Sequence, residues 1–388
     1  MPEFDKRPAK QTAGVSEDSK NHGAQKVARR KENLAVGIFR GLIPWKGDDG
    51  GDIVRKLVFL LSLTLIVYAS IKILDFYVFN DIRTDRERDS LMESLQEYEG
   101  PDSLSINIQP EEGSHYIEPK QVEVIGEYYE TFFLKNEDFI GYLEIYPIIQ
   151  YPVYQADDNE FYLNHNHDKT PTANGTVFAD YRGTFSATER PHNSVIYGHN
   201  LLTKNLFQPL TYYRPNSASG VDSFEFLKQH PIITFDTLYE RGKYKIFAVF
   251  QSNVKAVQGE VFDYWRSPYF EDKEHFDNFV ADCLDRSFYF TNVDLEYGDE
   301  ILLLSTCDFS MFANGADSSV RLVVAARRVR EGEDPMFTQD ELDAFIDNRG
   351  NNEYGQLNRR MFEAYYNLRS VEWGGRNWDL NYIKDFEG

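Results

Sequence analysis

Apolar and polar positions fall into three regimes along this chain. Up to about Gly51 they are mixed without a sustained period and polar residues predominate. Such a segment cannot bury a core and is expected to be largely disordered, with Leu34 to Ile43 as a short amphipathic piece suited to a membrane surface. From Leu57 to Ile71 an apolar run continues for 15 residues, short of the roughly 20 that span a bilayer. Lys72 can snorkel, and Phe76, Tyr77 and Phe79 can sit at an interface, so residues 57–79 are expected to form a transmembrane anchor. A cleaved signal peptide fits less well, because the polar stretch ahead of the run is far too long for an n-region. The basic flank (Arg29, Arg30, Lys31, Arg40, Lys46, Arg55, Lys56) then stays in the cytoplasm, and everything after Asn80 lies outside.

Beyond the anchor the pattern turns helical and then strand-like. Asp81 to Tyr98 is highly charged with Leu91 and Leu95 at helical spacing, a stalk helix that Gly100-Pro101 ends. A loose segment follows, and Val122 to Leu134 reads as a second helix. From Ile140 to Tyr154 apolar residues alternate around an interruption at Pro147. Thr176–Asp180, Ser194–Gly198, Ile232–Phe235 and Tyr244–Phe250 supply further short strands, the spacing of a closed barrel or sandwich. One helix breaks in: Phe276, Phe279, Val280, Cys283 and Leu284 form a buried stripe, which makes Cys283 a small core residue. After Arg330, Thr338-Gln-Asp-Glu341 is a capping box opening a helix to about Ile346, and Gly355 to Leu368 reads as another.

The candidate chemistry lies in the hairpin from Asp299 to Arg330. Two branched runs flank a loop rich in Gly, Asn, Asp and Ser, so Cys307 at the end of one strand faces Arg321 at the start of the next. His199, at the end of Asn-Ser-Val-Ile-Tyr-Gly-His-Asn, offers a base, and Gly198 lets backbone come close there. A thiolate can attack a carbonyl, an imidazolium can protonate the leaving amine, and a guanidinium can hold the oxyanion. Arg327 is a poor substitute for Arg321, six residues or roughly 20 Å further along the strand.

Charge narrows the partners. Up to Lys56, 12 Lys and Arg stand against 8 Asp and Glu, so of the total of −22 about −26 falls on the remainder. An acidic body argues against nucleic acid. Two cysteines are too few for a disulfide scaffold, and with no Cys-x-x-Cys and no further ligands near His165-x-His167 a zinc site is not expected.

Six motifs in order carry a family resemblance: Tyr-Pro-Val-Tyr (151–154), Asp-Asn-Glu-Phe-Tyr-Leu-Asn-His-Asn (158–166), Gly-Thr-Val-Phe-Ala-Asp-Tyr-Arg (175–182), Asn-Ser-Val-Ile-Tyr-Gly-His-Asn (193–200), Leu-Ser-Thr-Cys (304–307) and Val-Arg-Leu-Val-Val-Ala-Ala (320–326). Over about 130 to 330 the chain resembles the sortases, Gram-positive cysteine transpeptidases, and looks most like class B, in which a helix precedes the final hairpin. The resemblance implies a mainly β fold: a closed antiparallel sortase-type β-barrel with inserted helices, after a single transmembrane helix and N-terminal helices. It implies His199, Cys307 and Arg321 as catalytic residues, with Ser305, Thr306 and Asn164 binding substrate. The implied reaction cleaves a C-terminal sorting motif of a secreted protein through a thioester on Cys307 and requires no metal or organic cofactor. The acceptor amine is a cell-wall cross-bridge or, alternatively, a pilin lysine.

The domains expected are a cytoplasmic tail (1–56), the anchor (57–79), a stalk with N-terminal helices (80–130), the catalytic domain (131–330) and a C-terminal extension (331–388). That extension and the somewhat long Cys307-to-Arg321 loop depart from the family pattern; the extension could cap the barrel, hold the domain near the wall or regulate access. Two other readings remain. In papain-like hydrolases Cys usually precedes His, the reverse of the order here. A non-catalytic surface module would join Cys283 to Cys307 in a disulfide.

Overall fold

Between Ile140 and Arg328 the branched runs become strands that close on themselves. The computed structural model describes residues 40–75, 79–108, 120–201, 203–215, 220–254, 261–309, 320–348, 371–373 and 376–378. The chain divides into two compact units, residues 1–77 and 78–388, which are described separately.

In the first unit, α1 (Gly50–Leu74) is capped by Asp49, whose side chain accepts from the Asp52 N–H. Nothing between Gly50 and the apolar run breaks the helix, so it begins seven residues before Leu57. Its 25 residues extend about 37 Å at about 1.5 Å per residue. By length and composition it suffices to cross a bilayer. Leu34 to Phe39, most of the amphipathic piece, lie outside the described residues.

The second unit opens with α2 (Asn80–Gln96). It does not stand free as a stalk. Leu91 is buried, and Met92 and Leu95 pack with it on a cluster that includes Tyr128, Phe132 and Tyr142. A stripe of three apolar residues on an otherwise charged helix suffices to lay it against the body. The helix expected from Val122 begins later. Lys120–Ile125 is strand β2, paired antiparallel with β1 (Ser103–Ile108), and helical turns start only at Gly126. Val122 and Val124 are both buried, a period of two that overrides the helical reading.

Eight strands form the closed barrel: β3 (Phe139–Ile145), β4 (Ile149–Tyr154), β5 (Phe178–Ala179), β6 (Asn193–Tyr197), β7 (Ile232–Thr237), β8 (Lys243–Asn253), β10 (Ile301–Cys307) and β11 (Val320–Arg328). Their order is β10-β11-β8-β7-β3-β4-β5-β6. Most neighbours are antiparallel, while β4–β5 and the closing pair β6–β10 are parallel. Pro147 lies in the turn between β3 and β4. Between barrel strands come α3 (Ser223–Gln229), α4 (Lys273–Arg286) and β9 (Tyr289–Phe290).

Alternation sorts the side chains onto two faces. Ile196, Leu302, Leu304, Leu322 and Val324 fill the interior. Val195, Leu303, Val323, Ala325 and Phe250 point outward, under Phe276, Phe279, Val280 and Cys283 of α4. Burial pushes the Cys283 thiol well up from its ordinary value, as expected of a core residue. Both cysteines are free.

The extension after Arg330 begins as part of the body. α5 (Gln339–Asp343) starts with the expected capping box of Thr338 and Glu341. Phe345 enters the barrel core, with Phe337 and Leu342 beside it, and β12 (Ile346–Asp347) pairs with β9. The strand replaces the last turn of the helix expected to reach Ile346. Gly355 to Leu368 lie outside the described residues, and β13 (Val371–Trp373) pairs with β14 (Arg376–Trp378).

An ionic lock holds this extension. Arg327 is 1% exposed, and its Nη2 meets Glu333 Oε1 at 2.8 Å, where Lys245 Nζ also lies at 2.8 Å. The Arg327 guanidinium, then Lys245, hold the Glu333 carboxyl far below the usual carboxylate range. Because the folded value is depressed, the stabilisation is complete above the ordinary value of 4.5 and is lost as pH falls toward the folded one. Glu333→Gln is expected to cost about 1–3 kcal/mol at pH 7. In denaturant titrations the gap from wild type should narrow steadily below pH 4.5; a gap that stays constant would contradict the lock.

Candidate active site

Three strands bring the expected residues to one level. In the β10–β11 hairpin Cys307 is the Cα partner of Arg321. On the other side β6 runs parallel to β10 with Tyr197 opposite Ser305, so two residues on His199 arrives beside Cys307. Neighbouring strands are about 4.8 Å apart, so imidazole and guanidinium spring from backbone on either side of the thiol. Cys307, Ser305 and Leu303 alternate onto the outer face, and of the three only Cys307 is partly exposed. All three side-chain positions are partly exposed.

The end of β10 is tied residue by residue. The Ser305 hydroxyl lies 2.7 Å from the Tyr264 hydroxyl. Thr306 Oγ1 donates to the Gly198 carbonyl at 2.7 Å, and Asn200 Nδ2 donates to the Cys307 carbonyl at 2.8 Å. Asp308 is buried; Gln251 Nε2 donates to its carboxylate, and Arg214 Nη1 lies at 3.5 Å. Gly198 is needed for close approach: a Cβ there would sit 2.7 Å from the Phe207 ring, itself tied to His199 by a backbone bond.

Electrostatics act on Tyr264 beneath the site. Burial pushes its phenol up to about 12, although the Ser305 hydrogen bond and the charge of Arg321 act in the opposite direction. His199 Nε2 lies 3.0 Å from the Leu163 carbonyl. A carbonyl can only accept, so Nε2 carries a proton in this contact.

Of the expected substrate residues, Ser305 and Thr306 are 1% and 2% exposed, with both hydroxyls spent on protein partners. Both are packed beneath the surface rather than lining an open wall. Asn164 is exposed, next to Leu163 in the loop between β4 and β5; its Nδ2 is 3.4 Å from the Glu160 carbonyl. Tyr264, Arg214, Gln251 and Asn200 were not foreseen. Asn200 adjoins His199 and could have been noted; the other three reach the site from distant segments with no local signature.

No protein-family model matches the chain. Over 174 residues it is 30% identical to Sortase B of Listeria monocytogenes, an alignment covering 45% of this chain and 64% of that protein. The chain thus spans less than two thirds of that relative's length. Over 212 residues it is 25% identical to Sortase B of Staphylococcus aureus, covering 54% of this chain and 78% of that protein. Among solved structures, a Staphylococcus aureus sortase B–substrate complex is 21% identical, with 65% of this chain and 99% of that chain covered and a TM-score of 0.49. The chain is thus similar in sequence to two curated Sortase B proteins.

Proposed function

We propose that the protein is a membrane-anchored cysteine transpeptidase that cleaves a C-terminal sorting motif of secreted proteins and passes the acyl group to an amine of the cell wall. The observation that carries this reading is the placement of His199, two residues past the end of β6, beside Cys307 at the end of β10 and Arg321 on β11. Kinship with two Sortase B proteins supports the reaction class.

The division of labour follows from the side-chain chemistry. The Cys307 thiolate attacks the scissile carbonyl carbon, and the Arg321 guanidinium stabilises the oxyanion that forms. As the carbon–nitrogen bond breaks, His199 as imidazolium gives its proton to the departing amine, leaving a thioester on Cys307. The acceptor amine attacks the thioester, His199 takes up the amine proton, and the sulfur leaves as thiolate. Ser305 and Thr306 shape the floor through Tyr264 and Gly198, and Asn164 meets the peptide from the loop edge. The apolar helix α1 supports the anchor, with the basic flank in the cytoplasm and residues from Asn80 onward outside.

Trapping tests the chemistry. Full-length protein incubated with a library of sorting peptides should gain the mass of the peptide's N-terminal part on Cys307. Cys307→Ala should show none of it, and an adduct on that variant would refute the assignment. Arg321→Ala is expected to lower acylation by about a hundredfold or more, the scale for losing an oxyanion donor. Gly198→Ala should slow acylation more than it lowers thermal stability, because the displaced Phe207 ring is coupled to His199; equal effects would argue against that coupling.

A further inference from the structure

The carbonyl that meets the imidazole belongs to a loop that α2 braces. Leu163 closes the 3₁₀ turn Phe161–Leu163. Gly175, with φ +59°, lies against that turn: a Cβ there would be 2.5 Å from the Tyr162 carbonyl oxygen and 2.7 Å from that of Leu163. Its neighbour Asn174 is 5% exposed, and its Nδ2 donates to Thr84 Oγ1 on α2 at 3.0 Å. One turn further along the helix, Glu87 accepts from the amide of Asn166 at 3.4 Å and lies 4.0 Å from His167 Nδ1. Asn166 is itself buried, and its carbonyl oxygen is occupied by Thr170 and Asp168. Thr84 and Glu87, three residues apart, share one face of the helix. Leu91 of that helix and Leu163 also pack in one cluster.

We propose that Thr84 and Glu87 are positioning residues for His199: by satisfying two buried amides of the β4–β5 loop they hold the Leu163 carbonyl at Nε2 and so fix the imidazole ring. The proposal rests on the reading of His199 as the catalytic histidine. Removing either acceptor takes one hydrogen bond from a buried amide and loosens the tie between the loop and α2. The carbonyl then leaves Nε2 and the ring is free to turn. A positioning error of this kind acts on the rate of the chemical step and leaves the peptide groove largely as it was.

The test uses the full-length chain in detergent, with peptide cleavage as one readout and the imidazole N–H signals of 15N-histidine-labelled protein as the other. Wild type should show an exchange-protected Nε2–H that disappears in His199→Gln. In Thr84→Val and Glu87→Ala that signal should be lost, kcat should fall about ten- to a hundredfold, and KM should stay within about twofold. Thr84→Ser and Glu87→Gln, which keep an acceptor oxygen, should restore both. Unchanged kcat and signal in the first pair overturn the proposal, as does an equal loss in the conservative pair. If Thr84→Val does not fold, Glu87→Ala on the half-exposed helix surface reads the same two quantities. A wild type that keeps the protected N–H yet cleaves no sorting peptide refutes the transpeptidase reading, while the signal still reports on the brace.

Discussion

The structure depends most on the parallel pairing of β6 with β10. It closes the barrel, and it sets the residues after Tyr197 beside those after Ser305. Without it β10 would still have β11 on one side, and Cys307 would still face Arg321. The histidine, however, would have no defined place. One ladder thus supplies both the last wall of the core and the neighbour of the thiol. A slip of one residue would turn Ile196 outward and Val195 into the interior. The buried alternation on both strands therefore guards the site as well as the fold.

Around the sulfur the strand end is tied at four successive residues, from Ser305 to Asp308, by partners from four segments. Tyr264, Gly198, Asn200, Gln251 and Arg214 each satisfy a polar group that burial would otherwise leave costly. Such a seat leaves the strand end little freedom, which suits a nucleophile whose approach angle matters. At the opposite pole of the barrel the same chemistry serves attachment, with buried Arg327 and Lys245 gripping Glu333.

Much of this was legible wherever a segment's partners are close in sequence or its period is clean. The β10–β11 hairpin, the stripe on α4 and the capping box of α5 all read directly from spacing. Short strands with only two inward residues did not: Val122 and Val124 were absorbed into a helix, and Ser103–Ile108 passed for loop. Leu91 and Leu95 were visible at helical spacing on α2, but its charged surface made the helix read as a stalk, whereas with Met92 they lay it on the body. Residues from Glu333 to Asp347 looked like an appendage because their partners, Arg327, Lys245 and β9, are set by tertiary folding. For the same reason Tyr264 and Arg214 carry no signature in their own neighbourhoods. The place of His199 at a strand end offered it as the base for Cys307, and the order of the motifs supported that pairing.

The buried phenol of Tyr264 has one more consequence. Because burial raises its pKa to about 12, it remains a neutral hydroxyl throughout the range in which proteins work. This phenol is therefore not expected to produce an inflection in a rate-versus-acidity curve at milder alkalinity, and its hydroxyl pair with Ser305 can be treated as a fixed, uncharged contact.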